Sequence, residues 1–485
     1  MMKQDVVPHP LVSVIPIIVL IGLLATVISL FGSDSLSGGS QIALLLGMAV
    51  CVSISMTFYN VSWRTFEKQI MKTLGGVSIT LIILLAVGMI AGSWMVSGVV
   101  PTMIYYGVQI MSPRFFLVSA CLICALVSVL SGSSWTTIAT IGVALMGIGR
   151  ALGIDEPWTA GAIISGAYFG DKMSPLSDTT ILASSATGTD LFTHIRYMIY
   201  TTAPSFLIAA VIFFIAGLTT QGHTELQVGT YTEGLASTFR ISLWTLLVPV
   251  LTGVLIARRV PSLITLFVSS LIAGITAIVL QPHLLCLIAG GEDLSTAAAI
   301  TRGLAITYYG ATAVDTGNAS LNELVSTGGM SGMLDTIWLI ICAMCFGAAM
   351  VASRMIESIT RVISSFARSR LRLVGSTVGT GLFLNATTGD QFISIVLTAD
   401  IYRDTFRRQG YESRLLSRTC EDAATVTSVL IPWNTCGMTQ AAVLGVPTLV
   451  YLPYCFFNLL SPLMSVVVAA CGWKIVRHAE PDAAG

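Results

Sequence analysis

Residues 164–182 read ISGAYFGDKMSPLSDTTIL, an apolar segment in which charged and hydroxyl side chains surround Pro175. Proline lacks a backbone donor and breaks the helical hydrogen-bond ladder, so the segment predicts a discontinuous helix with exposed half-helix ends. Inside a membrane, a carboxylate costs at least about 2.5 kcal/mol to insert and normally marks an ion or proton path. Asp171 and Asp178 are therefore the leading functional candidates. The alternative is an ordinary polar loop at 171–180.

The composition of the whole chain is that of a membrane protein. Of its 485 residues, 54% are apolar and 10% are charged, whereas soluble domains carry about 25% charged residues. The mean hydropathy is +0.85, which excludes a water-soluble globule. Lys plus Arg and Asp plus Glu both number 24, so no net charge attracts nucleic acid. The 10 cysteines are scattered through apolar stretches and predict reduced packing residues rather than a disulfide framework.

Long apolar runs predict the membrane-spanning helices. The run at 11–31 follows Lys3 and resembles a signal peptide, but no small-residue cleavage site comes after it. We therefore expect a retained first helix. Further spans are predicted at 40–58, 77–98, 197–218, 241–257, 261–288, 334–352 and 449–471.

The positions of Lys and Arg predict the orientation. Connections rich in these residues should be cytoplasmic. The clusters are Arg64 with Lys68 and Lys72, Arg258 with Arg259, 354–372, 403–418, and Lys474 with Arg477. The connections 32–39 and 219–239 contain no Lys or Arg, and 289–296 carries only acidic charges, so all three should face outside. Both termini are then expected in the cytoplasm.

Landmark residues in the second half of the chain repeat those of the first half. Four pairs follow one order at a nearly constant separation: Gly75 with Gly328, Gly132 with Gly389, Pro175 with Pro432, and Pro204 with Pro462. The basic clusters make the span at 77–98 run outward and its counterpart at 334–352 run inward. We therefore predict two inverted-topology repeats, as in many secondary transporters. The N-terminal repeat is 1–218, the external connection 219–240 and the C-terminal repeat 241–485.

Each repeat also contains two apolar arms joined by a short polar segment. The first arms, at about 113–152, are joined by SGSSWTT, and the second, at about 372–403, are joined by NATTGD. We expect re-entrant hairpins with their tips near mid-membrane, because unwound backbone survives there only when buried in protein or lining a wet cavity. The fold class is then all-α, with about ten transmembrane helices plus two hairpins. Alternatively, each arm crosses fully, which gives about fourteen spans.

A discontinuous helix follows each hairpin, at about 157–190 and about 415–447. If the inverted halves pack face to face, both hairpin tips and both helix breaks converge on one central cavity. Their hydroxyl, amide and carboxylate oxygens suit a small alkali cation and not a soft metal. We expect Na⁺ at Asp171, Asp178 and neighbouring hydroxyls. The predicted ion and proton ligands are Asp171, Asp178, Ser174, Ser177, Thr179, Thr180, Ser133, Ser134, Thr136, Asn385, Thr387, Thr388, Asp390, Asn434 and Thr435.

Further charged residues have two interpretations each. Glu421 and Asp422, in the apolar-flanked segment 415–431, either line the same cavity as proton carriers or pair with Arg418 at the membrane surface. Lys172 is either a counter-ion to one of the first-half carboxylates or reaches water. No arginine falls in the predicted mid-membrane segments, which favours an inorganic ion over an organic anion as the substrate.

These residues predict coupling without ATP. Burial favours the protonated form of a carboxylate and a bound cation favours the ionised form, so one site holds either a proton or a sodium ion. The chain has no GxxxxGK[ST] loop, which a primary pump would need. We expect a secondary transporter and not an enzyme, with no cofactor besides the transported Na⁺ and H⁺. Part of each repeat would move against the rest to give alternating access.

Several stretches of the chain resemble one known family. SGAYFGDKMSPLSDTT, followed by ATGTDLFTHIRYMIYTTAPS, resembles the signature region of the NhaC-type sodium/proton antiporters, a branch of the ion transporter superfamily. The stretch GGMSGMLDTIWLI and the later PWNT resemble the same family, so the resemblance extends over most of the chain. The chain departs from the pattern at Ile181, where Asn is expected.

The resemblance implies export of Na⁺ in exchange for H⁺ across a bacterial plasma membrane. It also implies inverted repeats, hairpins, an elevator-like motion and often a homodimer; the partners are then Na⁺, H⁺ and lipid. The family motif carries the following residues over as the cation site: Asp171, Ser174, Ser177, Asp178, Thr179 and Thr180. The family also contains members similar to malate/lactate exchangers and sodium-coupled amino-acid carriers. A Na⁺- or H⁺-coupled carrier of organic anions or amino acids is therefore the alternative function.

Overall fold

The computed structural model describes residues 7–31, 38–219, 225–290, 295–317 and 319–475. These residues form 24 α-helices and contain no strand beyond an isolated bridge between two threonines, so the predicted all-α class is confirmed. The predictions for the chain ends and outer connections that fall at 1–6, 32–37, 220–224, 291–294, 318 and 476–485 lie outside the described residues.

The helices follow one another with short turns between them. In chain order they are α1 (Pro10–Phe31), α2 (Gly39–Tyr59), α3 (Trp63–Val96), α4 (Val99–Ile110), α5 (Pro113–Ser131), α6 (Ser134–Thr137), α7 (Val143–Ala151), α8 (Glu156–Met173), α9 (Asp178–Thr187), α10 (Leu191–Thr219), α11 (Glu225–Thr238), α12 (Leu247–Ala257), α13 (Ser262–Leu280), α14 (Pro282–Ala289), α15 (Thr296–Tyr309), α16 (Ala319–Val325), α17 (Leu334–Ala352), α18 (Met355–Ser365), α19 (Arg370–Thr388), α20 (Gln391–Arg408), α21 (Ser413–Cys420), α22 (Thr435–Leu444), α23 (Thr448–Tyr451) and α24 (Phe456–Cys471). Two π-helical turns interrupt the series, at Ile138–Gly142 and Glu421–Thr425.

Seven helices in the described part of the chain are long and apolar enough to cross a membrane: α1, α2, α3, α5, α10, α13, and α17 with the turn before it. Two further pairs are sharply bent, at 90° between α11 and α12 and at 88° between α22 and α23. If each bent pair is one span, the number is nine. The protein is thus a multi-pass membrane protein, whereas the count of about ten spans and two hairpins stays a prediction.

Two runs that were predicted as single spans are broken. The run at 261–288 consists of α13 and α14, which are separated at Gln281 because the next residue is a proline. The side chain of Gln281 bonds to Arg240, accepting from its backbone N and donating to its backbone O, both at 3.1 Å. The run at 449–471 is broken by the 3₁₀ turn Leu452–Tyr454.

The helix boundaries repeat along the chain at one constant separation, which is that of Gly132 from Gly389 and is called the repeat offset below. Helix α5 begins at Pro113, and α19 begins one repeat offset later at Arg370. Helix α9 begins at Asp178, and α22 begins one repeat offset later at Thr435. The hairpin arm and the second half of the discontinuous helix therefore occur twice in the same register.

Side-chain hydrogen bonds also repeat at the repeat offset in the two turns that are predicted to be hairpin tips, and these turns keep that name below. At the first tip, Ser133 Oγ accepts from the backbone N of Thr136 at 3.2 Å. At the second, Asp390 Oδ1 accepts from the backbone N of Ile393 at 2.9 Å. Each tip residue caps the helix that follows it, which satisfies a backbone donor that would otherwise lack a partner.

Each hairpin is also tied to the segment that follows it by matching bonds. Ser128 Oγ donates to the carbonyl of Ala167 at 2.6 Å, and Asn385 Nδ2 donates to the carbonyl of Ala424 at 2.6 Å. The two donors are one repeat offset apart, and so are the two acceptors. The repeat is therefore present in the packing of the hairpins as well as in the helix boundaries.

The first hairpin tip requires glycine at position 132. Gly132 has a φ of +68°, a left-handed conformation that other residues rarely adopt. A Cβ at this position would also lie 2.7 Å from the Cβ of Leu176 and 2.9 Å from its carbonyl oxygen. The tip therefore packs tightly against the break between α8 and α9.

Small residues bring the backbones of α5 and α8 into contact. A Cβ on Gly166 would lie 2.1 Å from the carbonyl oxygen of Cys121, and one on Gly170 would lie 2.4 Å from that of Ala125. Close approach through small residues is how membrane helices gain packing energy. The largest buried apolar cluster surrounds this helix pair, and a second cluster lies between α1–α3 and α17.

Candidate functional site

A cavity of about 720 Å³ lies where the first hairpin tip meets the break between α8 and α9. Residues of α3, the connection between α12 and α13, and the start of α20 complete its wall. Six of the predicted ion-site residues line it: Ser133, Thr136, Asp171, Ser177, Asp178 and Thr179. These six residues offer two carboxylates and four hydroxyls, all of them hard oxygen ligands, and Arg259 adds a guanidinium to the same wall.

Asp171 lies at the C-terminal end of α8 and is 6% exposed. Its Oδ2 accepts two hydrogen bonds from Ser134 at the hairpin tip, one from Oγ at 2.6 Å and one from the backbone N at 3.2 Å. Two donors to one oxygen stabilise the ionised carboxylate. The first hairpin is thereby attached to a negative charge that a cation in the cavity can share.

Asp178 begins α9, is exposed and lines the cavity. The four residues between α8 and α9 are not helical, so the chain breaks around Pro175 as the sequence predicts. Neighbouring hydroxyls are held in place: Ser177 and Thr179 bond to each other at 2.9 Å, and Thr180 Oγ1 donates to the carbonyl of Lys172 at 3.1 Å. Asp178 lies in the first helical turn, where the macrodipole favours negative charge.

The second-half residues predicted for this site form a cluster of their own. Asn434 Nδ2 donates to the carbonyl of Asn385 at 3.1 Å, and the backbone N of Thr435 donates to the carbonyl of Gly389 at 2.8 Å. The structure does not bring the following predicted residues to the cavity wall: Asn385, Thr387, Thr388, Asp390, Asn434 and Thr435. Both repeats were expected to converge on one cavity, and the second hairpin reaches its wall through Gln391 and Phe392. The side chains of Asn385 and Asn434 instead hold the second hairpin to its own discontinuous helix, whereas the hydrogen bonds of Thr387, Thr388 and Asp390 stay within the hairpin.

The second repeat contains a neutral counterpart of the contact between Ser134 and Asp171. The residues one repeat offset later are Gln391 and Ser428, and Ser428 Oγ donates to Gln391 Oε1 at 3.3 Å. Gln391, together with Phe392, is the contribution of the second hairpin to the cavity wall. The geometry is therefore repeated, whereas the negative charge at this position belongs to the first repeat.

A buried ion pair joins α8 to the π-helical turn after α21. Lys172 Nζ contacts Asp422 Oδ1 and donates to Ser461 Oγ at 3.0 Å, and the side chains of Lys172 and Asp422 are 0% exposed. Thr201 Oγ1 and Ser461 Oγ donate to the same Asp422 oxygen at 3.1 and 2.9 Å. Both predicted alternatives for Lys172 are wrong, because its side chain points into the protein, where only a nearby carboxylate offsets its charge.

Comparison with known proteins identifies the family. A match to the Na⁺/H⁺ antiporter family extends over residues 166–473. The chain belongs to the Na⁺/H⁺ antiporter family. The NhaC-type resemblance predicted from the signature region is thereby confirmed.

The relatives of this member of the Na⁺/H⁺ antiporter family are named for different substrates. The chain is 38% identical to the Na⁺/H⁺ antiporter NhaC of Alkalihalophilus pseudofirmus, over 88% of this chain and 89% of the relative. It is 33% identical to a malate-2H⁺/Na⁺-lactate antiporter of Bacillus subtilis, over 89% of each chain. It is 35% identical to the arginine/ornithine antiporter ArcD of Halobacterium salinarum, over 96% of this chain and 92% of the relative.

The structure buries three titratable side chains that the sequence could not place: Arg418, Glu421 and Asp422. The side chain of Arg418 is 0% exposed, and its guanidinium lies 4.7 Å from the centroid of the Tyr197 ring. Its Nε is 3.8 Å from Asp422 Oδ2. Glu421 is fully buried as well. Of the two alternatives for Glu421 and Asp422, a pairing with Arg418 at the membrane surface is wrong in its location, because all three side chains lie in the protein interior. Neither acid lines the cavity, as the other alternative expected.

The sequence carries only a weak signal for this buried cluster. Arg418 and Asp422 are four residues apart, the spacing of neighbours on one helix face, but the same spacing is common on exposed helices. The pairing with Lys172 joins residues 250 positions apart, which no local pattern indicates. Among the described residues of this antiporter-family chain, no group of three or more His, Cys, Asp or Glu could hold a resident metal.

Proposed function

We propose that this chain is a secondary transporter that exports Na⁺ in exchange for H⁺ across a bacterial plasma membrane. One observation carries the proposal: Asp171 is a buried carboxylate attached to a hairpin tip on the wall of a hydroxyl-lined cavity. Membership of the Na⁺/H⁺ antiporter family and two relatives named NhaC support the same ions. Na⁺ and H⁺ are the transported species, and no cofactor takes part.

The cavity can hold a dehydrated alkali cation. Asp178 is the solvent-exposed carboxylate that meets an entering cation, and Asp171 is the buried one that binds it. The hydroxyls of Ser133, Thr136 and Ser177 replace water oxygens around the ion. Hard oxygen ligands with one or two carboxylates match the preference of a small alkali cation.

The cavity wall divides into two groups of elements, which indicates what moves. One group is the first hairpin, the α8–α9 break and the start of α20, where α9 packs against α20, and the other is α3 with the α12–α13 connection, where α3 packs against α13. In this proposal the first group carries the ion past the second in an elevator-like motion, within inverted repeats at 1–218 and 241–485 joined by 219–240. Both termini lie in the cytoplasm, and two such chains form a homodimer.

Purified protein in proteoliposomes tests the exchange. A preset pH gradient should be dissipated when Na⁺ is added without any organic solute. Asp171→Asn keeps the shape of the side chain but removes its charge, so this variant should lose Na⁺ binding and Na⁺-driven proton movement while remaining folded. Asp404→Asn, an exposed carboxyl on α20, is the matched control and should behave like the parent. Full exchange by Asp171→Asn would contradict the assignment of the site.

A specific observation favours a second candidate, a Na⁺- or H⁺-coupled carrier of an organic anion or amino acid. Arg418 is a fully buried guanidinium whose nitrogens have no hydrogen-bond partner within the described residues, and such a group suits a carboxylate substrate. One relative is named for malate and lactate, and another is named for arginine and ornithine. If proton movement in proteoliposomes requires malate, lactate or an amino acid besides Na⁺, this candidate replaces the first.

A further inference from the structure

Glu421 and Asp422 are adjacent buried carboxyl groups with opposite surroundings. Asp422 is contacted at one oxygen by the ammonium group of Lys172 and by the hydroxyls of Thr201 and Ser461. Neither carboxyl oxygen of Glu421 has a hydrogen-bond partner in the part of the chain that the structure describes. Two neighbouring acids in the same π-helical turn therefore differ in which charge state the protein supports.

The surroundings of Glu421 favour its neutral form. An ionised carboxylate that is buried without donors is far more costly than a neutral carboxyl group. The hydroxyl of Thr425 faces Glu421 but does not reach hydrogen-bonding geometry. Glu421 is 0% exposed and does not line the cation cavity. Glu421 is thus a buried proton-holding group outside the site of the cation, and a π-helical turn in a membrane helix is a frequent mark of function.

The fixed charges around Glu421 cancel when Glu421 is neutral. Lys172 and Arg418 supply two positive charges, and Asp171 and Asp422 supply two negative charges. Lys172 follows Asp171 at the end of α8 and contacts Asp422, which follows Glu421, so the end of α8 lies beside the π-helical turn. A cation that binds Asp171 adds an unbalanced positive charge to this group. That added charge favours the ionised form of Glu421.

The other titratable groups on the elements packed around Glu421 do not replace it. His194 on α10 is buried with its Nδ1 hydrogen-bonded to a serine, Asp178 on α9 is exposed, and Asp390 caps α20. Cys420 is a buried thiol. Helix α24 carries no charged residue. The charged residues along α19 and α20 lie in exposed or half-exposed positions: Arg370, Arg372, Asp400, Arg403, Asp404, Arg407 and Arg408.

We propose that Glu421 carries the exchanged proton at a site separate from the sodium cavity. The charged end of α8, where Asp171 precedes Lys172, couples the two sites. This inference rests on the proposed Na⁺/H⁺ exchange. Na⁺ binding at Asp171 releases the proton of Glu421 to water on the same side of the membrane, and Na⁺ release lets Glu421 take a proton from that side. The effect of each ion on the other is reciprocal.

Sodium binding to the purified full-length protein, measured by titration calorimetry at several pH values near neutrality, tests this inference. If one proton leaves for each Na⁺ bound, the apparent Kd for Na⁺ in the parent falls about tenfold for each pH unit of increase. Glu421→Gln should still bind Na⁺, but its Kd should change less than about twofold per pH unit. In proteoliposomes it should exchange ²²Na⁺ for Na⁺ and move no protons. Glu67→Gln, an exposed acid on α3, is the matched control.

Each outcome distinguishes a separate proton site at Glu421 from proton binding at the cation site. If Glu421→Gln keeps the tenfold slope, the proton competes with Na⁺ at the cation site itself and the inference is overturned. If the folded variant binds no Na⁺, Glu421 is a cation ligand and the inference is overturned as well. Glu421→Met, which removes the buried polar atoms, serves the same comparison where Glu421→Gln does not fold. If the parent itself binds no Na⁺, the proposed Na⁺/H⁺ exchange fails, and this inference fails with it.

Discussion

Loss of the positive charge of Lys172 should destabilise the protein strongly. Lys172→Met keeps most of the aliphatic chain but leaves Asp422 buried with two hydroxyl donors and no ammonium partner. Removal of one member of a buried ion pair costs about 3–5 kcal/mol, because the other charge is left uncompensated. Arg418, with its Nε 3.8 Å from the second oxygen of Asp422, offsets part of this cost. We therefore expect the free energy of unfolding to fall by about 3 kcal/mol.

The assay is unfolding of the purified protein by SDS in mixed micelles, followed by circular dichroism. A double-mutant cycle with Lys172→Met and Asp422→Asn isolates the interaction, and the double variant should lose at least about 1 kcal/mol less than the sum of the single losses. Arg403→Met, which breaks an exposed pair with Asp400, is the control and should cost less than about 1 kcal/mol. A loss below about 1 kcal/mol for Lys172→Met would refute the reasoning.

Three further changes test the hairpin tip, the cation site and a surface acid. Gly132→Ala forces a left-handed alanine (φ +68°) whose Cβ would lie 2.7 Å from the Cβ of Leu176, so in the SDS titration it should cost more than about 1–2 kcal/mol, which is the cost of the backbone conformation alone; parental stability would contradict the tip geometry. Ser134→Ala removes the 2.6 Å donor to Asp171 and should weaken Na⁺ binding about tenfold by calorimetry, whereas Ser134→Thr should keep it. Hydrogen bonding to Arg354 lowers the pKa of Glu357 below its ordinary 4.5. A carboxyl group whose pKa is lower in the folded state stabilises the protein above its unfolded-state pKa, and this stability disappears as the pH falls through the folded-state pKa. Glu357→Gln should therefore remove this loss of stability at acid pH from the unfolding curves. At neutral pH the substitution should cost less than about 1 kcal/mol.

Local patterns predict those parts of the fold that depend on local chemistry. The break at Pro175 follows from the missing proline donor. Gly132 is in the sequence a landmark of the repeat, and its left-handed φ of +68° gives the physical reason for glycine there. The spacing between Gly132 and Gly389 is the offset that the helix boundaries and the cap hydrogen bonds both follow. Composition alone places the chain in a membrane. Predicting these features requires no knowledge of which helices pack together.

Tertiary pairing decides what the sequence could not predict. Lys172 has two candidate carboxylates near it in the sequence, Asp171 and Asp178, yet its partner is Asp422, 250 residues away. Arg418 carries the spacing of an exposed helical pair, yet its side chain is fully buried against Tyr197. Asn385 and Asn434 in the second half carry amide oxygens that suit a cation site. Their side-chain amides donate instead to backbone carbonyls of the same repeat. A buried and an exposed charge pair can share the same residue types and spacing, so only the packing of the helices distinguishes the two.

The two repeats share a scaffold and differ in charge, and the cost of burial explains the difference. Positions one repeat offset apart match in hydrogen bonding at the hairpins, but Asp171 corresponds to Ser428 and Lys172 to Val429. Asp422 corresponds to Ser165 in the same register. Because each buried carboxylate costs at least about 2.5 kcal/mol in a membrane helix, a charge is retained only where an ion or a counter-charge offsets that cost. Hydroxyls and amides keep the geometry of the second copy at far lower cost, so a symmetric fold holds its charges at unmatched positions.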